Sequence, residues 1–328
     1  MNKLRRAAII GTGSYVPINI RSNIEVEATS GTRANWTLEN LGINERHIVA
    51  EGELNSDMAA VAALRSLEAS GLKPEDIELI ILATATPDRL APSTACIVQK
   101  KIGAFNAAAF DMNAVCAGYM FAMATAVNYI VAMGYTNVLV IGVDCFSRFT
   151  DWSRRDAVFF GDGAGASVLA LSTDESGFGA FKLGSDGRGQ FNFTINGGGS
   201  EMLPLRVLEN PGQEYFQMDA KEVYKVATRV LPEAINAVLM ASQMTIDEID
   251  HLLPHQASMT VLTRVAELIG IPLERVRTNM KNYANTSSAT IPILLDETVR
   301  SGQIKKNQFG MFAAVGSGWA WGAALYRF

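Results

Sequence analysis

Residues 71–103, GLKPEDIELIILATATPDRLAPSTACIVQKKIG, and residues 243–270, QMTIDEIDHLLPHQASMTVLTRVAELIG, follow one pattern: an acidic turn, a buried strand, a polar loop and a helix ending in Ile-Gly. The stretches behind them match again. FDMNAVCAGYMFAMATAVNYIVAMGYTNVLVIG (110–142) and TNMKNYANTSSATIPILLDETVRSGQIKKNQFGMFAAVG (278–316) each read as a strand, a tight turn, a helix stopped at a glycine (Gly134, Gly302) and a further strand. A chain that carries the same ordered elements twice has to build one α/β unit twice and pack the copies together. The remaining strand signals, AAIIGTG and TNVLVIGV among them, are β-branched runs of the kind buried on both faces in βαβ units. SDMAAVAALRSLEASG (56–71) predicts a helix with Ser56 as its N-cap and Gly71 as its stop. Aligning Gly134 with Gly302 sets Cys116 opposite Ala284, next to Asn285, and His255 falls at the corresponding strand end of the second copy.

Composition narrows the class. The 328 residues are 48% hydrophobic and 19% charged, ample for a large core in a globular protein. A net charge of −5 gives no reason to expect nucleic acid or an anionic membrane surface as a partner. Apolar runs such as LIILA and NVLVIGV are too short to span a bilayer. MNKLRRAAIIG passes into the turn GTGSYVP without the long apolar stretch of a signal peptide, so it reads as a first buried strand. Three cysteines (Cys96, Cys116 and Cys145) without CxxC spacing argue against a disulfide framework or structural zinc. The expectation is a cytoplasmic protein without a metal site. The polar, Gly-rich region 184–215 reads as an excursion over the surface.

Three residues carry chemistry in these patterns. Cys116 stands at the joint of a strand and a helix, where helix N-terminal N–H groups favour a thiolate. A free cysteine is otherwise a small apolar filler, which is the reading of Cys96 and Cys145. His255, in HLLPHQAS, sits at the C-terminal end of a strand, where α/β sheets bind ligands; His251 and His47 read as structural. Asn285, in YANTSSATIP, precedes a helix, where asparagine, serine and threonine also serve as caps. A cap would fix the side chain rather than exclude it from catalysis. FFGDGAGASVLAL (159–171) lacks the Lys-Ser/Thr of a phosphate-binding loop and opens a strand, so its glycines mark a close approach of backbones. GTGSYVP fails the dinucleotide pattern as well, and no cluster has metal-ligand spacing.

In order along the chain, IIGTGSYVP, GINERHI, VCAG, FGDGAGA, PHQAS, ANTSSATIP and GSGWAWGAALYRF resemble β-ketoacyl-acyl-carrier-protein synthase III, the condensing enzyme of the thiolase superfamily that starts fatty-acid synthesis. The resemblance covers essentially the whole chain. It implies a thiolase-like, duplicated αβαβα five-layered α/β fold, an N-terminal half (1–172) carrying the nucleophilic cysteine and a C-terminal half (173–328) carrying histidine and asparagine. It also implies a homodimer. Cys116 would accept an acyl group from an acyl-CoA primer, and a malonyl thioester, most often on acyl carrier protein, would then lose CO₂ and condense to a 3-oxoacyl thioester. His255 and Asn285 would stabilise the enolate, and the backbone N–H groups of Cys116 and Ser317 would form the oxyanion hole. Coenzyme A enters as substrate, and no metal or redox cofactor is implied.

The resemblance also assigns peripheral contacts. Trp36 and Arg154 match CoA-binding positions, while Asn40 replaces a family arginine. Lys225 matches a basic position of the carrier-protein docking surface. Thr260 replaces another, with Arg264 one turn later as its substitute. Ala91, in ATPDRLAPSTAC, stands where short-chain relatives carry phenylalanine in a loop that closes the partner's acyl pocket, so primers longer than acetyl are expected. Two further readings stay open: a specialised-metabolite ketosynthase or acyltransferase using CoA thioesters, and a non-catalytic thioester-binding protein.

Overall fold

The computed structural model describes residues 5–328; Met1–Leu4, the charged start of the stretch read as a first strand, lie outside the described residues. The first sheet contains β1 (Ala7–Tyr15), β2 (Leu79–Ala83), β3 (Ala108–Met112), β4 (Asn137–Cys145) and β5 (Asp162–Leu171), in the order β1-β5-β4-β2-β3. β2 runs parallel to β3 and β4, and β5 runs antiparallel to β4 and β1. The second sheet contains β6 (Gly177–Ser185), β7 (His251–Pro254), β8 (Phe309–Gly316) and β9 (Ala320–Arg327), in the order β6-β9-β8-β7. β7 and β8 are parallel, while β9 is antiparallel to both neighbours. A parallel bridge from Leu252 to Val276 stands where β3 stands in the first sheet. The two sheets therefore repeat one topology.

Alternation along the strands sets the layers. Leu79, Ile81 and Ala83 of β2 face the interior between the sheets, together with Leu253, Phe312 and Ala314 of the second sheet. Helices α3 (Gly118–Met133) and α6 (Thr290–Arg300) fill that interior. Ile80 and Leu82 point the other way, against α1 (Asn55–Ser70) and α2 (Thr94–Ile102). Leu252, Met311 and Ala313 pack against α4 (Ala220–Ser242) and α5 (Met259–Ile269). Helix, sheet, helix, sheet, helix: burial on both faces explains why these strands are short continuous apolar runs. Among the described residues, Val115–Met133 is the segment long and apolar enough to cross a membrane, and it is the central layer of this core.

α1 stops at Gly71, whose φ of 72° is cheap only for glycine. Its N-cap is Leu54 rather than Ser56: the Asp57 carboxylate accepts from Leu54 N at 3.0 Å, and Ser56 lies inside the helix, taking a hydrogen bond from Lys101 Nζ at 2.7 Å. The glycines of FFGDGAGAS do permit close approach. A Cβ on Gly165 would come within 2.7 Å of the backbone at Pro292 and Ile293.

The register of the repeat needs correction. One 3₁₀ turn, Val115–Ala117, leads into α3, and another, Ser287–Ala289, leads into α6. Val115 has φ 46° and Ser287 φ 53°, and each N–H is held by the asparagine two residues earlier: Asn113 Oδ1 at 3.1 Å, Asn285 Oδ1 at 2.8 Å. Matching these turns sets Cys116 opposite Ser288, not Ala284. Alignment from the C-terminal glycines slipped by a turn because α3 has 16 residues and α6 only 11.

Candidate active site

Cys116 is the middle residue of the turn between β3 and α3. Val115 before it occupies the left-handed region, which a β-branched side chain adopts only under constraint. The Cys116 sulfur lies 3.5 Å from Ser287 Oγ, and that serine, not His255, is its hydrogen-bond partner. Desolvation pushes the thiol up to about 12; the Ser287 hydroxyl opposes this, Asp144 reinforces it, and the residue's own N–H favours the anion. The expected lowering by the helix end is therefore outweighed by burial. Cys96 lies half-buried on α2 and Cys145 is buried at the end of β4; neither belongs to this turn.

His255 follows β7 directly, and its N–H donates to Ala313 O at 2.8 Å. Its Nδ1 lies 2.7 Å from the Thr290 hydroxyl, at the first residue of α6. The Thr290 hydroxyl also donates to Ser287 O at 3.0 Å, so this contact ties Nδ1 to the turn and leaves Nε2 as the ring nitrogen without a hydrogen-bond partner among the described residues. Burial holds the imidazole down to about 3, so the ring is neutral at physiological pH. Asn285 is buried, and because its Oδ1 accepts from Ser287 N, its NH₂ remains the free donor. Its backbone is clamped as well: Asn285 N donates to Phe159 O at 3.0 Å, and Gly161 N donates to Asn285 O at 3.1 Å. The FFG of FFGDGAGAS thus seats the asparagine.

Around this centre the backbone and aromatics close in. A Cβ on Gly316 would lie 2.9 Å from Cys116 N and 2.7 Å from Ala114 O, so the chain entering Ser317 passes directly over the cysteine turn. Ser317 Oγ donates to Phe193 O at 2.5 Å. Phe193 stacks on Phe216 at 5.6 Å, and both join Phe146 and Phe160 in a cluster that packs against Val115. Region 184–215 is therefore more than a surface excursion. Its short helix, Pro204–Glu209, buries no residue, but the hairpin of Phe193–Thr194 with Gln217–Met218 returns aromatics to the site.

The peripheral candidates separate. Trp36 lines a cavity of about 170 Å³ with Thr32, Arg33 and Arg155. Arg154 is turned elsewhere, to Asp156 at 2.5 Å and Phe216 O at 3.1 Å, so Arg155 is the arginine beside the tryptophan. Asn40 and Thr260, the two positions without the family's arginines, meet each other: Thr260 Oγ1 donates to Asn40 O at 2.6 Å. Lys225 and Arg264 are exposed, each engaged by a neighbouring carboxylate, Glu222 at 3.2 Å and Glu267 at 3.0 Å. Ala91 is exposed on a loop whose Leu90 is 83% exposed.

Asp144, Ser287, Ser288 and Thr290 escaped the sequence reading. Asp144, fully buried at the end of β4, accepts from Thr84, Ala85 and Thr86 through Oδ1 and from Ser288 N and Oγ through Oδ2. Its signal was a lone acid ending the apolar run NVLVIGVD. The three hydroxyl residues were hidden by the capping role such residues ordinarily have before a helix.

A doubly built five-layered α/β fold, with a cysteine from one copy and a histidine and asparagine from the other joined through a single turn, defines a thiolase-fold acyltransferase. Family models described as 3-oxoacyl-[acyl-carrier-protein (ACP)] synthase III match residues 110–187, and 239–328 for its C-terminal part. The curated beta-ketoacyl-[acyl-carrier-protein] synthase III of Neisseria meningitidis serogroup A is 42% identical, covering 99% of this chain and 100% of its own. Among solved structures, 3-oxoacyl-[acyl-carrier-protein] synthase III from Aquifex aeolicus superposes with a TM-score of 0.91 at 37% identity, covering 98% of this chain and 100% of that one. A priming beta-ketosynthase from a polyketide biosynthetic pathway superposes with a TM-score of 0.91 at 28% identity, covering 100% and 98%. The chain belongs to the β-ketoacyl-acyl-carrier-protein synthase III family.

Proposed function

We propose that the chain carries out decarboxylative condensation of an acyl-CoA primer with a malonyl thioester, malonyl-acyl-carrier-protein first among them, with Cys116 as acyl acceptor. The Cys116 sulfur attacks the primer's thioester carbonyl, the carbon–sulfur bond to CoA breaks, and the proton leaves with the CoA thiol. The N–H groups of Cys116 and Ser317 face the oxyanion that forms on the way. Malonyl then loses CO₂, and its enolate oxygen takes hydrogen bonds from His255 Nε2 and the Asn285 NH₂. The enolate carbon attacks the acyl-Cys116 carbonyl, the bond from that carbon to the Cys116 sulfur breaks, and the 3-oxoacyl thioester leaves while the thiolate takes a proton from water. CoA is a substrate throughout.

The observation that carries this reading is the turn 285–290. It fixes the acceptor atom of Asn285, engages Nδ1 of His255 and reaches the sulfur of Cys116. The free amide of Asn285 is a donor, and a neutral imidazole carrying its proton on Nε2 supplies the second, a pair suited to an enolate. The test is a pair of measurements on one preparation: covalent acyl transfer from acyl-CoA, and ¹⁴CO₂ release from carboxyl-labelled malonyl thioester. Both are expected. An acyl adduct without CO₂ release would turn the reading to transfer onto a small nucleophile.

The same proposal extends to assembly. β3 is an open sheet edge with an exposed first residue, Ala108, and exposed Phe105 before it, the kind of strand that pairs with a second copy. With β3 paired, the loop carrying Ala91 would close the partner's acyl tunnel. Trp36 and Arg155 would receive the nucleotide end of CoA, and Lys225 and Arg264 the carrier protein, in the cytoplasm. Use in a specialised pathway is favoured by one feature, the paired loss of family arginines at Asn40 and Thr260. Comparing malonyl-CoA with malonyl-acyl-carrier-protein as extender decides it.

A further inference from the structure

We propose that Ser287 is a catalytic residue of the acyl-transfer half-reaction, donating its hydroxyl hydrogen bond to the Cys116 thiolate. The inference rests on Cys116 being the acyl acceptor. Ser287 is 0% exposed, and among the described residues the Cys116 sulfur, at 3.5 Å, is the hydrogen-bond partner of its Oγ. A hydroxyl can serve both states of the nucleophile: it accepts from the thiol and donates to the thiolate. The second bond is charge-assisted and the stronger of the two, so it favours the anion.

Two further observations support the assignment. Ser287 is held at φ 53° by the bond from its N–H to Asn285 Oδ1. Glycine would adopt that backbone at less cost; what serine adds is the hydroxyl beside the sulfur. The surroundings also offer the thiolate little else. Asp144, from β4, opposes the anion, His255 at the end of β7 is neutral, and among the described residues no lysine or arginine acts on the sulfur. The neighbouring Ser288 cannot substitute, because its hydroxyl is engaged by Ala83 O, Val143 O and Asp144 within 3.2 Å.

In the reaction, the sulfur loses its proton and forms a bond to the acyl carbon while the bond from that carbon to CoA sulfur breaks. The proton ends on the CoA thiol, so Ser287 is unchanged after turnover. It lowers the cost of the anion from which attack starts.

The test is the pH dependence of iodoacetamide alkylation at Cys116, read by peptide mapping, in wild type, Ser287→Ala and Ser287→Gly. Removal of the hydroxyl is expected to move the profile up by about one pH unit, which is about a tenfold slower alkylation at any one pH. Single-turnover acyl transfer from acyl-CoA should slow in parallel. Glycine keeps the positive φ that strains alanine, so if the alanine variant fails to fold the glycine variant decides. A Ser287→Gly profile identical to wild type, with Cys116 still acylated, would overturn the role of Ser287 alone. Wild-type Cys116 that is alkylated but never acylated would instead overturn the assignment of the nucleophile.

Discussion

The turns 113–118 and 285–290 share a backbone and divide the work. Each begins with an asparagine whose Oδ1 holds the N–H two residues on, each next residue has positive φ, and each opens a central helix. In the first, Asn113 is exposed and the middle residue is Cys116, partly exposed toward the site. In the second, Asn285 is buried, and the equivalent residue is Ser288, buried and tied to the first sheet through Asp144. In the proposed reaction one copy presents the nucleophile and the other the donors, while Ser288 ties the copies together through Asp144. Because the scaffold is common, the difference in chemistry comes from the side chains and from what covers them, and substitutions at matched positions should expose it.

The largest effect is expected at the donors. His255→Ala should lower CO₂ release by about 10²–10³ while leaving acyl transfer to Cys116 intact, as for loss of one oxyanion donor. Asn285→Asp is the partner variant: it keeps an oxygen to hold Ser287 N and replaces the NH₂ donor by a second carboxyl oxygen, which repels the enolate. Single-turnover acylation beside CO₂ release reads both. An equal fall in the two steps would mean that the second turn activates the cysteine rather than the enolate.

The two groups should also part with pH. Cys116 is pushed up to about 12, so the thiolate fraction, and with it acyl transfer, should rise about tenfold per pH unit across the neutral range. His255 is held down to about 3, so it is already neutral there, and CO₂ release from pre-acylated protein should stay flat. A limb near the ordinary histidine pKa in CO₂ release would break the comparison.

Smaller effects fall on stability. Ser288→Ala leaves Asp144 Oδ2 with one donor fewer in a buried setting, a loss of about 1–3 kcal/mol measurable by denaturant unfolding, with acylation of Cys116 retained. Ser288→Cys, matched to the nucleophile in backbone position, should stay unacylated because its side chain faces the core. The smallest expected contrast is in chain length. Each added CH₂ buried in an acyl tunnel is worth about 0.8 kcal/mol, so kcat/KM should rise from acetyl- to butyryl-CoA in wild type and less so in Ala91→Phe. Preference for acetyl-CoA unchanged by the substitution would separate the Ala91 loop from chain-length control.

What the chain made legible follows the same division. Duplication was readable because each copy repeats four elements in order, and Cys116 because a strand, small residues and a helix converge on it. The register between copies was not, since the helices differ in length and only the turns in three dimensions fix the match. Ser287 and Thr290 read as helix-start residues, a role that hides their contacts with Cys116 and His255. Phe193 was submerged in a Gly-rich, polar stretch whose composition describes its exposed helix and not its returning hairpin. Arg154 matches a CoA-contacting position; its pairing with Asp156, two residues on, and the place of Arg155 in the cavity beside Trp36 are features of the folded loop that the motif does not carry.

The central claim is that, of three cysteines, the one in the first turn carries the acyl group. Incubation of the wild-type chain with acyl-CoA, followed by intact mass and peptide mapping, tests it most directly. One acyl adduct per chain, on Cys116, and none in folded Cys116→Ser is the predicted result. An adduct on Cys96 or Cys145 with Cys116 unmodified would contradict it.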